Sequence, residues 1–317
     1  MTKYYSHYGL MPAMLNPMRL YSVVDRTRAM IDIKDIEIFS PIGSLCQPKS
    51  IEEICYNRVK HIMDRTGTGR IYVAWSGGID STLALSEFIK IAPHSQITVM
   101  MTHNSINEYP AFYKRFIENK LDTCAISFYN DDMLKSALTD GVIVTGVGGI
   151  DGGSGAGFAV DILYESIDKM LTKVNDDTRI HYLNLINACP RKLVNTKDFL
   201  WWLEYALNWQ NAEFQWLSEV DELILEKNIF HFGDGPEWHN YAVSTPDEVK
   251  HPGPEIVNFK MPIKQHLYTF TKDADYTANK IKTQSWRRYR TPEQRTKQKA
   301  IYITTNWERG YGVEHIS

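Results

Sequence analysis

Apolar residues recur along this chain with two different periods. After Ser50, the positions Ile54, Val59 and Ile62 follow a helical spacing up to Thr66-Gly67. Ser50 with Glu53 three residues on has the form of a helix cap, so a helix is expected over 51–66. The run Ile71-Tyr72-Val73-Ala74-Trp75 then reads as a strand. Beyond it, Leu85, Phe88 and Ile89 fall on one helical face. Further strands are expected over 96–102, 121–128 and 141–145, and helices over 107–119 and 133–139. Pro110 then has to sit in the first turn of its helix, where a missing N–H costs nothing. Strands alternating with helices predict an α/β fold, a parallel sheet with helices on both faces.

From Phe158 onward the pattern becomes helical and aromatic. Trp201, Tyr205 and Trp209 recur every fourth residue, with Trp202 and Trp216 close by. A core face of a helical subdomain is the favoured reading; an aromatic substrate platform is the alternative. The chain thus divides into an N-terminal extension, 1–50, an α/β nucleotide-binding domain, 51–157, and a mainly helical C-terminal region, 158–317, which completes the site. Within the extension, Met11-Pro12 and Ser40-Pro41 mark turns.

The strand at 71–75 runs directly into Ser76-Gly77-Gly78-Ile79-Asp80-Ser81 and a helix. A glycine turn there places backbone N–H groups at the positive end of a helix, a ready site for phosphate. Two glycines permit close approach of backbone to an anion, and serine hydroxyls add donors without bulk. Asp80 would repel a polyphosphate, unless it works through a cation such as Mg2+ or holds the loop in shape. No Gly-Lys-Ser/Thr ending is present, which separates the loop from the Walker A type. In parallel sheets ligands bind at the carboxyl ends of strands. Three segments should therefore meet: this loop, Thr102-His103-Asn104, and the residues after Thr145.

The Ser-Gly-Gly-x-Asp-Ser string between strand and helix resembles the PP-loop of the ATP pyrophosphatases. The resemblance is nearest to the synthetase domain of asparagine synthetases, which also carry a helix just before the PP-loop strand. It covers residues 50–160 and extends loosely to 285. It implies cleavage of ATP between the α and β phosphates, adenylation of an acceptor carboxylate or carbonyl, and transfer of an amine. It also implies nucleotide contacts from Trp75, Ser76, Gly77, Gly78, Asp80, Ser81 and Thr82, with Mg2+ placed by Asp80. Thr102 and Asn104 would read the adenine. The family's glutaminase domain begins with cysteine after the initiator Met, where this chain has Thr2, and 1–50 is too short to contain it. The expected nitrogen source is ammonia, a substrate amine or a partner glutaminase.

Gly146-Val147-Gly148-Gly149-Ile150-Asp151-Gly152-Gly153 opens a glycine-dense stretch that runs to Gly157. Neither regular helix nor strand tolerates it without cost, so it is a linker or a loop whose backbone nears a ligand. Its place after a strand favours the second. It is similar to the synthetase segment T/S-G-x-G-x-D-E, matched by Thr145, Gly146, Gly148 and Gly149. Ile150 stands in place of the first acid and Asp151 aligns with the second. That departure leaves the acceptor open, with Asp151 as a catalytic candidate. Lys260 and Lys264 lie where the resemblance puts a lysine that reaches back to the phosphates; solvated surface is the competing reading for each.

Composition narrows the remaining classes. The chain has 317 residues, 43% hydrophobic and 23% charged, with a formal net charge of −3, so nothing biases it globally toward nucleic acid or anionic membrane. No apolar run approaches a membrane span and the start lacks a signal-peptide core, which predicts a cytoplasmic protein. Cys46, Cys55, Cys124 and Cys189 form no C-x-x-C pair and read as buried free thiols, against a zinc ribbon or a sulfur-transfer enzyme. The histidines show no metal spacing, and His231, His239 and His251 read as separate loop or surface residues. Eight Lys or Arg residues between 280 and 299, with Trp286 and Tyr289 among them, read as basic helix surface ahead of a nucleic-acid grip. Two alternative functions remain: a tRNA- or nucleobase-modifying PP-loop enzyme, and a non-catalytic nucleotide-binding protein.

Overall fold

The computed structural model describes residues 25–29, 41–125, 131–146, 164–174, 176–207, 209, 228–250, 252, 258–280, 300–307 and 310–316. Helix α1 (Ile51–Thr66) opens the nucleotide-binding part. The Ser50 hydroxyl accepts from the Glu53 amide at 3.2 Å, and Gly67, at φ 61°, closes the helix with a bond to the Met63 carbonyl. Its face of Ile54, Cys55, Val59 and Ile62 is buried. Strand β1 (Arg70–Ala74), helix α2 (Ile79–Ile91), strand β2 (Ile97–Met101), helix α3 (His103–Glu108), strand β3 (Asp122–Ala125) and strand β4 (Gly141–Thr145) follow.

The expected 107–119 helix is divided and begins earlier. Thr102 caps α3 immediately behind β2, with reciprocal bonds to Ser105. The chain then leaves helical geometry at Tyr109 (φ −144°) and restarts at Pro110 as Pro110–Phe112, followed by a wider turn over Tyr113–Ile117. Proline has no N–H to continue the first helix, so it starts the second.

Five parallel strands form one sheet in the order β3-β2-β1-β4-β5, which makes this an α/β fold. Its fifth member, β5 (Ile229–His231), pairs in parallel with β4. It comes from the region expected to be mainly helical, and three residues are too few to display a strand period. The chain runs outward from β1 through β2 to β3, then returns to β4 on the other side of β1. The order therefore reverses between β1 and β4, where α/β sheets bind ligands. A second departure is an antiparallel pair, β6 (Ala300–Trp307) with β7 (Gly310–Ile316). The run of β-branched and aromatic residues Ile301-Tyr302-Ile303-Thr304-Thr305 accounts for the strand.

Two apolar cores are present among the described residues. The first joins α1, α2 and the sheet to Phe232, Trp238, Ile263, Leu267 and Tyr276, so it draws on both sides of residue 157. The second gathers Phe199, Trp201, Trp202 and Tyr205 of the Thr196–Leu207 helix with Trp209, Tyr182 and Leu185. Trp201 stacks on Tyr205 at 5.4 Å between centroids, and both are fully buried, so this face is packing surface. Trp216, Trp286, Tyr289 and His251 lie outside the described residues.

Of the four thiols expected to be buried, Cys55 is, whereas Cys46 is exposed and Cys124 and Cys189 are half-buried. His231 and His239 are buried, which corrects their reading as loop or surface residues. Each has a polar partner that makes burial tolerable. His231 Nδ1 lies 2.6 Å from Thr145 Oγ1, so the side chains of β4 and β5 are tied where the strands end. His239 spans Asp234 (2.7 Å) and the Tyr205 hydroxyl (2.9 Å). Burial lowers the pKa of both rings, that of His231 from 6.5 to about 4.

This predicts an acid-sensitive fold. Between pH 6.5 and about 4 the unfolded chain takes up a proton that the folded His231 refuses. The stabilisation is complete above pH 6.5 and is lost as pH falls toward 4, on the order of 3 kcal/mol in all. His239 acts in the same direction. Urea unfolding across this window should show the decline, and His231→Gln should flatten it. An unchanged slope in that variant would exclude His231 as a source.

Candidate functional site

The turn between β1 and α2 is built by its own serines. The Ser81 hydroxyl accepts from the Ser76 amide at 3.1 Å and lies 2.9 Å from the Ser76 hydroxyl. The Ser76 hydroxyl also accepts from the Gly78 amide at 3.3 Å. Gly77 sits at φ 76°, where glycine alone is unstrained. A Cβ on it would lie 2.6 Å from the Ser105 carbonyl oxygen and 2.7 Å from Glu108 Cβ. The first bond within α2 runs from Thr82 N to Gly78 O. The amides of Ile79, Asp80 and Ser81 come before it and have no acceptor inside the helix. They sit at the positive end of a 13-residue helix beside the switch point.

Two residues expected to touch a ligand instead face inward. Trp75 is 1% exposed, stacks on Phe112 at 5.7 Å and donates its indole N–H to Thr82 Oγ1 at 3.0 Å. Thr82 is fully buried. The pair anchors the loop from beneath. Thr102 spends its hydroxyl and amide on Ser105, as the cap of α3, while Asn104 in the first turn of that helix is exposed.

Beyond β4, Thr145 is buried against His231, and Gly146 packs on the loop itself. A Cβ at Gly146 would lie 2.6 Å from the Ser81 amide nitrogen and 2.9 Å from the Asp80 carbonyl carbon. Gly148, Gly149 and Asp151 lie outside the described residues.

The C-terminal lysines arrive at the same place. Lys260, 5% exposed, caps the Met261–Thr271 helix in the left-handed conformation (φ 56°). Its Nζ lies 2.7 Å from both carboxylate oxygens of Asp80. Lys264, one turn on, is fully buried and donates to the Lys280 carbonyl at 2.6 Å. Burial, with the Lys280 charge nearby, lowers its pKa from 10.5 to about 8. Lys280 in turn pairs with Glu108, the residue against Gly77. Lys280 Nζ lies 5.7 Å from the centre of the Tyr276 ring, which stacks on Tyr109 (3.9 Å, 11° between planes), and the Tyr109 hydroxyl donates to Asp273 at 3.0 Å. Asp273 caps the short Ala274–Asn279 helix. Residues almost two hundred apart in sequence thus surround the loop, and spacing alone could not have selected Glu108, Tyr109, Tyr276 or Lys280.

Asp80 and Lys260 make a carboxylate with a cation already on it. This suits a divalent ion that arrives with a polyphosphate and needs few protein ligands, since Lys260 can pass from the carboxylate to phosphate oxygen. Comparison with protein-family models, curated proteins and solved structures found no match.

The glycines separate by their surroundings. At Gly78 (φ −75°) a Cβ would meet only the Ser76 hydroxyl, at 3.2 Å. Gly78→Ala should change unfolding free energy by less than about 1 kcal/mol. Gly77→Ala and Gly146→Ala should each lose more than about 1 kcal/mol, because backbone has to move. Equal losses in all three by urea titration would contradict this loop geometry.

Proposed function

We propose that the protein is an AMP-forming ligase of the ATP pyrophosphatase type. The observation that carries this reading is Lys260 on both oxygens of Asp80, at 2.7 Å, in a PP-loop-like turn. A lone glycine turn would suit many anions. A carboxylate and a buried lysine at its mouth suit a metal-bound triphosphate whose charge shifts toward a departing pyrophosphate.

The β,γ-phosphates would lie on the amides of Ile79, Asp80 and Ser81, with the backbone at Gly78 approached closely. Asp80 would hold Mg2+, whose chemistry is to draw charge from the phosphate oxygens. An acceptor carboxylate or carbonyl oxygen attacks the α-phosphorus, the bond to the β-bridging oxygen breaks, and pyrophosphate leaves. Lys260 offsets charge on that leaving group, and Lys264 and Lys280 add positive potential behind it. An amine nitrogen then attacks the activated carbon, AMP leaves with the bonding pair, and the amine's surplus proton passes to solvent. Positioning and charge stabilisation, without a protein nucleophile, supply the catalysis.

With Mg2+ and pooled amino acids or nucleotides as acceptors, ATP should yield AMP and pyrophosphate. Direct formation of ADP and phosphate would reject the assignment. Asp80→Ala and Lys260→Ala should each cut pyrophosphate release by about 100-fold or more. Gly78→Ala should weaken ATP binding in calorimetry, although the fold accepts it.

Lys264 carries its charge below about pH 8 and loses it above. ATP affinity should accordingly fall as pH rises through 8, and Lys264→Arg, which stays charged, should remove the decline. A pH-independent affinity in the wild type would take Lys264 out of the phosphate site.

A further inference from the structure

Away from the loop, three chemically different side chains from three helices converge on one point. They are Cys55 of α1, Glu87 of α2 and His266 of the Met261–Thr271 helix. The thiol sulfur, a carboxylate oxygen and a ring nitrogen all lie within 4.8 Å of one another. Cys55 is fully buried and Glu87 is 3% exposed, in a core that includes Ile54, Leu83, Phe88 and Leu267. A carboxylate in such a place needs compensating charge. In the metal-free arrangement Lys90 Nζ lies 2.5 Å from Glu87 Oε1, and His266 Nε2 lies 2.8 Å from the same oxygen.

We propose that Cys55, Glu87 and His266 bind a zinc ion that clamps the three helices against one another. Sulfur, imidazole and carboxylate together form a zinc donor set, whereas Mg2+ and Ca2+ take oxygen alone. Zn–S near 2.3 Å and Zn–N near 2.0 Å place tetrahedral ligands roughly 3–4 Å apart. The widest separation therefore needs to close by only about 1 Å and the 2.8 Å His266–Glu87 contact to open slightly, within the reach of side-chain rotation. Lys90, with 27% of its side chain exposed, can swing into solvent and give up the carboxylate. The Cys55 thiol gives up its proton to solvent on binding, His266 binds as neutral imidazole, and water completes the fourth position. Sequence spacing hides such a site, since its ligands are 32 and 179 residues apart along the chain.

The site is independent of the proposed ligase activity and is tested without it. The full chain, loaded with zinc chloride and desalted, should retain about one zinc per molecule and unfold at a higher temperature than the chelator-treated protein. Cobalt substitution should give a thiolate-to-cobalt absorption band. Cys55→Ser and His266→Gln should each lose the metal and the thermal shift, while Cys46→Ser, at an exposed cysteine, should keep both. Absence of stoichiometric zinc in the wild type, a cobalt complex without the thiolate band, or full zinc retention by both ligand variants would overturn the proposal. Because the wild-type cobalt spectrum is decisive alone, a variant that fails to fold does not protect it. A Cys46→Ser chain that lost zinc would equally count against Cys55 as the sulfur ligand.

Discussion

At the carboxyl edge of the sheet, backbone meets backbone with no space for a Cβ. Gly77 lies against the Ser105 carbonyl, and Gly146 against the amide of Ser81. These two approaches pull the ends of β1, β2 and β4 together around the first turn of α2. The serine hydroxyls can then close on each other, and α2 presents its first amides at the switch point. A side chain at either glycine would push α3 or the segment after β4 outward. The loop would lose its shape and Lys260 would lose its place opposite Asp80.

Charge placement around that edge costs stability that packing could have kept. Lys260, Lys264 and Lys280 are 9% exposed or less at the side chain or residue level, and Glu108 is 7%. Buried ion pairs of this kind roughly break even against well-packed apolar residues, and removing one partner costs about 3–5 kcal/mol. Stability therefore does not account for four such groups at one crevice. The proposed polyanionic ligand would, because desolvated lysines held in advance need no rearrangement when negative charge arrives or builds up. Burial, with the Lys280 charge nearby, lowers the pKa of Lys264 to about 8, the direction expected where desolvation opposes a charge.

Much of this was legible in the chain, and the losses have physical causes. The helix cap at Ser50, the strand ending at Thr145 and the strand–turn–helix around Gly77-Gly78 are local features, fixed by neighbours a few residues away. β5 was not legible, since Ile229-Phe230-His231 is too short for a period and is set by pairing with β4. His231 and His239 were misread because a histidine's burial depends on partners distant in sequence, Thr145 and Tyr205. The helix expected over 107–119 begins earlier because Thr102 and Ser105 cap it reciprocally just behind β2, and Pro110 then divides it. Lys260 and Lys264 were visible as candidates, but only tertiary packing brings Lys260 to Asp80.

Side chains and backbone divide the work in the loop. Trp75 and Thr82 bond to each other beneath it, and Ser76 and Ser81 bond across it. Four polar groups that a motif reading assigns to the ligand are thus engaged with the protein. In the proposed reading, what remains for a ligand is the amide edge of α2 and the Asp80–Lys260 pair. Amides in a braced turn do not have to be reoriented when an anion binds, so the ordering cost is met during folding. The serines of the motif thus act first on the shape of the loop, and under the proposed function the main-chain amides beside the Asp80–Lys260 pair would carry most of the binding.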